Sequence, residues 1–209
     1  MKKILSLFLA VLLLFSLISC TKEKNRSYDK SEVEAAARDL IERSEILNEI
    51  FWGDGISYIE DDNYKNGQYY PADPLYLKRI DVESITDLIA LTGSVFSLDY
   101  TESICESTMA SSVGNYGMAV YVRYYQGEDH IMVYTACKPL LTDKVEYDLS
   151  SVTATGSKGE RVYVNLSVNV TRDDTSQTRE IKVALIEEKN GWRIDSPTYV
   201  AFDESLSAK

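Results

Sequence analysis

A single histidine, His130, serves the whole chain, and that scarcity closes off much chemistry. A histidine base, a catalytic triad or an imidazole metal site would have to use this one residue. It sits beside a predicted turn, Gly127-Glu128-Asp129-His130, as a solvent-facing polar group at a strand start. No serine stands in a Gly-x-Ser-x-Gly elbow, so acyl transfer by the usual serine arrangement is not expected. His-Glu-x-x-His and Cys-x-x-Cys are both missing, which leaves zinc without a ligand set. Neither Gly-x-x-x-x-Gly-Lys nor Gly-x-Gly-x-x-Gly is there to cradle a phosphate. Lysine and arginine number 22 against 33 acidic residues, for a formal net charge of -11; with no basic stripe interleaved with aromatics, nucleic acid is not an expected partner. An EF-hand register begun at Asp62 places Asn66 and Gly67 well, but it puts Tyr64 and Asp73 where the third and twelfth positions need hard oxygen ligands and a glutamate, so the match fails. Carboxylates are too numerous for any one pair to be singled out for glycoside hydrolysis. The expectation is a protein that is not an enzyme, with no metal, no cofactor and no catalytic residue.

What is present begins with residues 1–20, MKKILSLFLAVLLLFSLISC. Lys2 and Lys3 precede an apolar run from Ile4 to Ile18, which has the layout of a secretory signal and is too short and wrongly flanked for a transmembrane helix. The closing Leu17-Ile18-Ser19-Cys20 resembles the bacterial lipobox, in which the cysteine is lipidated and becomes the new N-terminus. That resemblance implies a signal peptide over 1–19, acyl chains on Cys20, and a protein held at the cell membrane and facing outside the cytoplasm. Two or three acyl chains anchor firmly where one does not. Residues 20–30 are then a polar tether of net charge +2, and residues 31–209, of net charge -15, form a single domain. A mildly basic tether suits an anionic membrane surface that repels the acidic domain. About 180 residues are enough to build one substantial core.

Along the domain the hydrophobic period changes once. Ser31-x-x-Glu34 predicts a capping box before a helix whose inward face is Val33, Ala36, Ala37, Leu40, Ile41, Leu47, Ile50 and Phe51, ended by Gly53 and Gly55. Residues 56–80 read as irregular, broken by Asn66-Gly67, Pro71 and Pro74. A second helix is expected from about Ser84 to Ser97, with Ile85, Leu88, Ile89, Val95 and Phe96 inward, and a third from Asp99 to about Ser112. After Gly114 the period falls to two: strands are expected over Met118–Tyr125, Ile131–Cys137, around Val145, Tyr147 and Leu149, over Val162–Val170, around Ile181, Val183 and Leu185, and over Trp192–Ser196. Asn190-Gly191 is the expected turn before the last strand. Helices followed by a meander give an α+β fold, with N-terminal helices packed on one face of a curved antiparallel sheet of about five to six strands.

The helices, long strands and the ending Gly191-Trp192-Arg193-Ile194-Asp195-Ser196-Pro197-Thr198-Tyr199 resemble the nuclear transport factor 2-like cone-shaped fold. With Ala36–Gly55, that ending also resembles a group of uncharacterised clostridial lipoproteins. The helix at 84–97 and the final strand are similar in layout to exported inhibitors of cell-wall DL-endopeptidases. The absent chemistry, the anchor with its tether and a tyrosine-rich irregular segment give the expectation of a non-enzymatic binding or accessory module at the cell envelope; what the resemblance adds is an inhibitory role, with an envelope protein or cell-wall enzyme as partner. The alternative it leaves open is a small-ligand carrier or enzyme that uses a pocket inside the cone.

Two features bear on where such a partner would sit. Fifteen tyrosines stand against five phenylalanines; tyrosine pairs an apolar ring with a polar tip and suits both half-buried strand faces and contact surfaces. Trp52, Tyr58, Tyr64, Tyr69, Tyr70 and Tyr76 crowd the irregular segment and are the candidate contact surface. Tyr121 and Tyr125 are expected to share one strand face with Arg123 between them. Cys105 and Cys137 read equally as a disulfide of an exported protein and as two small buried thiols.

Overall fold

A computed structural model of the protein describes residues 26–61, 68–109 and 121–207. Its first element, α1 (Lys30–Trp52), is a 23-residue helix. The cap is not Ser31 but Asp29, whose carboxylate accepts from the Ser31 and Glu32 amides (2.8 and 3.0 Å). Those bonds hold its carboxyl below the usual range. Glu34, expected to close a capping box, instead accepts from the Ala154 amide 120 positions away (2.9 Å). The expected apolar face does bury, but Ser44 and Asn48 bury with it.

The segment read as irregular contains two short elements, β1 (Tyr69–Pro71) and α2 (Pro74–Arg79). Asp73 caps α2, and Pro74 opens it where a missing amide costs nothing. Helix α3 (Ile85–Val95) carries a full capping box between Ser84 and Asp87, and α4 (Leu98–Thr108) is capped by Ser97. Ile89, expected inward, is exposed, and Thr92 takes the buried place, its hydroxyl donating to the Leu88 carbonyl (2.7 Å). Residues 110–120, which include the start of the expected strand at 118, lie outside the described residues.

The strands form two antiparallel sheets rather than one of five or six. A three-stranded sheet has the order β1–β3–β2, with β2 at Tyr124–Gln126 and β3 at Ile131–Tyr134. A four-stranded sheet has the sequential order β4 (Lys144–Lys158), β5 (Arg161–Arg172), β6 (Thr175–Glu188), β7 (Gly191–Ile194). Between β3 and β4 the chain crosses the end of α1, where the Leu140 and Leu141 amides both donate to the Trp52 carbonyl (2.8 and 2.9 Å). This crossing ends the first ladder before the second begins. The turn joining β6 to β7 is Lys189-Asn190, and Gly191, the first residue of β7, takes a φ of 103° that a side chain would resist. A short α5 (Glu204–Ser207) closes the described chain.

Helix α1 lies across the four-stranded sheet. Val162, Val164, Leu166, Val168 and Val170 alternate inward along β5, facing Leu185 and Val183 of β6, and all are essentially solvent-free. Strand β4 follows this surface through an irregularity in which residues 149–152 stand opposite Leu166 alone. Such insertions bend a strand. Arg38 of α1 holds it, Nε donating to the Leu149 carbonyl (3.1 Å) and a terminal nitrogen to that of Val152 (3.3 Å). Replacing Arg38 with alanine is expected to cost about 1–2 kcal/mol. Urea denaturation reads that loss, and faster amide exchange confined to residues 149–154 would place it.

Candidate functional site

The three-stranded sheet presents the densest aromatic surface. Register pairs Tyr69 with Tyr134 and Tyr125 with Met132, so these side chains share one face. The Tyr69 ring meets Tyr125 edge-on (centroids 4.9 Å) and Tyr134 at 5.1 Å, while Tyr121 stacks on Tyr134 at 5.0 Å with 1° between their planes. The Tyr69 hydroxyl donates to the Val122 carbonyl (2.9 Å) and locks the centre of the group. Burial pushes that phenol upward from its ordinary value. Tyr121 and Tyr125 remain 49% and 38% exposed. Rings fixed by mutual contact and open to solvent have little rotamer freedom left to lose on binding.

Of the six residues expected to form a contact surface, five are described, and among those only Tyr69 belongs to this group. Tyr70 points to the opposite face, where it stacks with Tyr58 (5.7 Å, 12°). Trp52 packs on Phe51 and Tyr199 (5.9 and 4.6 Å). Tyr76 sits under the Arg79 guanidinium (4.7 Å), with its hydroxyl buried. Among the described residues no ring contact joins Trp52 or Tyr76 to the cluster. Tyr64 lies outside the described residues, as does Cys20. Tyr134 was missed; it falls within the expected strand 131–137, but only the pairing with β1 brings it beside Tyr69.

Arg123 departs furthest from its sequence reading. It is 7% exposed, not displayed between Tyr121 and Tyr125. Its guanidinium donates to the Phe51 and Gly53 carbonyls (3.0 and 2.6 Å) and to the Tyr124 hydroxyl (3.0 Å). A cation here meets the negative end of the α1 dipole and its unpaired carbonyls. The Tyr124 hydroxyl in turn donates to the Ile50 carbonyl (2.6 Å) and accepts from the Ile56 amide (3.1 Å). Gly55 completes the joint. Its φ is +88°, and a methyl group there would come within 2.7 Å of both the guanidinium and the phenol oxygen. The end of α1 is thereby bolted to the sheet that carries the tyrosines.

Among the described residues, the apolar side chains of α1 and of the large sheet that face each other are buried in one core. Where the inner face of β6 turns polar, the C-terminal segment covers it. Arg179 donates to the Ala201 carbonyl (2.8 Å), and Gln177 exchanges two bonds with the Asp203 backbone (2.7 and 3.1 Å). Thr198 joins a buried network with Ser44, Asn48 and Tyr147. A rim cleft of about 270 Å³ beside α1 includes Glu45, Asn48, Glu49, Tyr147 and Tyr199. Partial burial, then the charge of Glu42, raises the Glu45 carboxyl. Asp143, also on the cleft, is held below the usual carboxylate range by its Arg172 hydrogen bonds. His130 is exposed on the turn before β3, and Cys105 and Cys137 are free thiols, that of Cys105 shifted upward by burial. Among the described residues no three acidic, histidine or cysteine side chains group to hold a metal, and no helix is long and apolar enough to cross a membrane.

No protein-family model matches the chain, and no curated protein matches it.

Proposed function

We propose that this chain is a membrane-anchored extracytoplasmic lipoprotein, held by acyl chains on Cys20, that binds another envelope component without catalysing a reaction. The observation that carries the reading is the rigid, half-exposed group of Tyr69, Tyr121, Tyr125 and Tyr134. Tyrosine is among the residues that dominate binding energy at protein interfaces. A partner protein, such as a cell-wall enzyme that the module holds or inhibits, fits such a surface. The buried apolar core shared by α1 and the large sheet favours this outer surface over the alternative of a small-ligand carrier or enzyme with an internal pocket. The rim cleft beside α1 is what supports that alternative.

The test pairs capture with mutation. The double variant Tyr121→Ala, Tyr125→Ala removes the two most exposed rings, and it is expected to weaken the captured complex about 10–100-fold. Affinity is read on immobilised protein against envelope extract and then against the purified partner. An unchanged affinity would move the contact surface elsewhere. Cys20→Ala is expected to shift the protein from the membrane to the soluble fraction.

A further inference from the structure

We infer that the anchored domain stands end-on, with its β4–β5 hairpin nearest the bilayer and the tyrosine face held outward, so that its partner is an envelope macromolecule met on the side away from the membrane. The inference rests on the anchoring through Cys20 proposed above.

The point at which the chain enters the domain is fixed. The Arg26 amide donates to the Gly159 carbonyl (3.2 Å), and its own carbonyl accepts from the Ser157 hydroxyl (2.9 Å). Its guanidinium pairs with Glu187 and lies 5.3 Å from the Trp192 ring centroid. Residues 26–30, read from sequence as tether, are therefore attached to the domain, and α1 starts at Lys30. Cys20 precedes Arg26 by six residues, a reach of at most about 20 Å. The hairpin end cannot leave the membrane by more than that.

Helix α1 then sets the height. Glu32 in its first turn accepts from the Trp192 indole (3.1 Å), at the hairpin end, and Trp52 is its last residue. The 20 helical steps from Glu32 to Trp52 rise about 30 Å. At the far end the Phe51 and Gly53 carbonyls bind Arg123, and the Val122 carbonyl next to it receives the Tyr69 hydroxyl. Charge opposes lying flat. Residues 31–209 carry -15 and are repelled by an anionic surface, while Lys22 and Lys24 of the tether are drawn to it.

The chain has only two tryptophans, Trp192 at the base and Trp52 at the top, and they report its orientation. The full-length lipidated protein is reconstituted in anionic phospholipid vesicles that contain a dansyl-headgroup lipid, using Trp52→Phe and Trp192→Phe to leave one donor each. Energy transfer from Trp192 is expected to exceed that from Trp52 at least about threefold, given their 30 Å separation along α1. Equal or reversed transfer overturns the inference. Should either variant fail to fold, lysine acylation of the wild type decides. On vesicles the exposed Lys158 and Lys189 at the base are expected to lose reactivity while Lys138, near the end of α1, keeps it; uniform reactivity overturns the inference. A Cys20→Ala protein that stays on the vesicles would take down the anchoring itself, whereas an anchored protein with equal transfer takes down only the orientation.

Discussion

Replacing Tyr124 with phenylalanine is expected to lower the unfolding free energy by about 3 kcal/mol, although the change removes one oxygen and keeps the ring. That oxygen is at the crossing of three bonds, to the Ile50 carbonyl, the Ile56 amide and the Arg123 guanidinium. The side chain has no exposure to solvent, so water is not positioned to replace it. Two donors would lose their acceptor, and a buried unsatisfied group costs about 1–3 kcal/mol each. Urea denaturation measures the effect, with Tyr58→Phe as the control. Tyr58 is 40% exposed, and its loss of an oxygen is expected to stay within about 0.5 kcal/mol. A Tyr124→Phe protein no weaker than this control would mean that the joint relaxes around the missing oxygen. In that case the coupling of α1 to the tyrosine-bearing sheet would be looser than its geometry suggests.

That joint also marks the limit of what sequence could supply. The period-two pattern of β5 identified the centre of the large sheet correctly, because a strand buried on one face writes its register into alternate residues. The apolar face of α1 was legible for the same reason at a period of 3.6. Arg123 was not legible. An arginine between tyrosines in an alternating run reads as exposed, and its burial depends on carbonyls about 70 positions earlier that only the fold brings near. Asp73-Pro74 was a readable helix start inside the segment taken as irregular, since a capping acid followed by proline is an N-terminal signature. The same Pro74, next to Asn66-Gly67 and Pro71, also reads as a breaker, and a breaker and a first-turn proline look alike in sequence. The division into two sheets left no trace in any one strand, since it is decided by which edges meet. The tyrosine face fails to show for the same reason: Tyr69 and Tyr134 become neighbours only through the pairing of β1 with β3.

Alkaline pH should destabilise the fold through its buried tyrosines. Burial pushes the Tyr124 and Tyr147 phenols up to about 12, against an ordinary value of 10.0, and it raises Tyr100 as well. For Tyr124 the neighbouring Arg123 charge and the Ile56 amide pull the other way, but they do not outweigh the loss of water. Below pH 10 these phenols are protonated whether the chain is folded or not, and the shift leaves stability unchanged. Between pH 10 and about 12 the unfolded chain releases protons that the folded one retains, so the unfolded state binds fewer and stability falls as pH rises. Each of Tyr124 and Tyr147 should withdraw about 2–3 kcal/mol by pH 12. Urea midpoints at pH 9, 10 and 11 are expected to drop with increasing slope, and Tyr147→Phe should flatten that slope while leaving the pH 9 value the less affected. Absorbance at 295 nm supplies the second readout. In it the buried rings of Tyr124 and Tyr147 should ionise only as the protein unfolds. A midpoint that holds constant through pH 11 would mean that the buried phenols ionise in place, which the bond from the Tyr124 hydroxyl to the Ile50 carbonyl opposes: a phenolate cannot donate it.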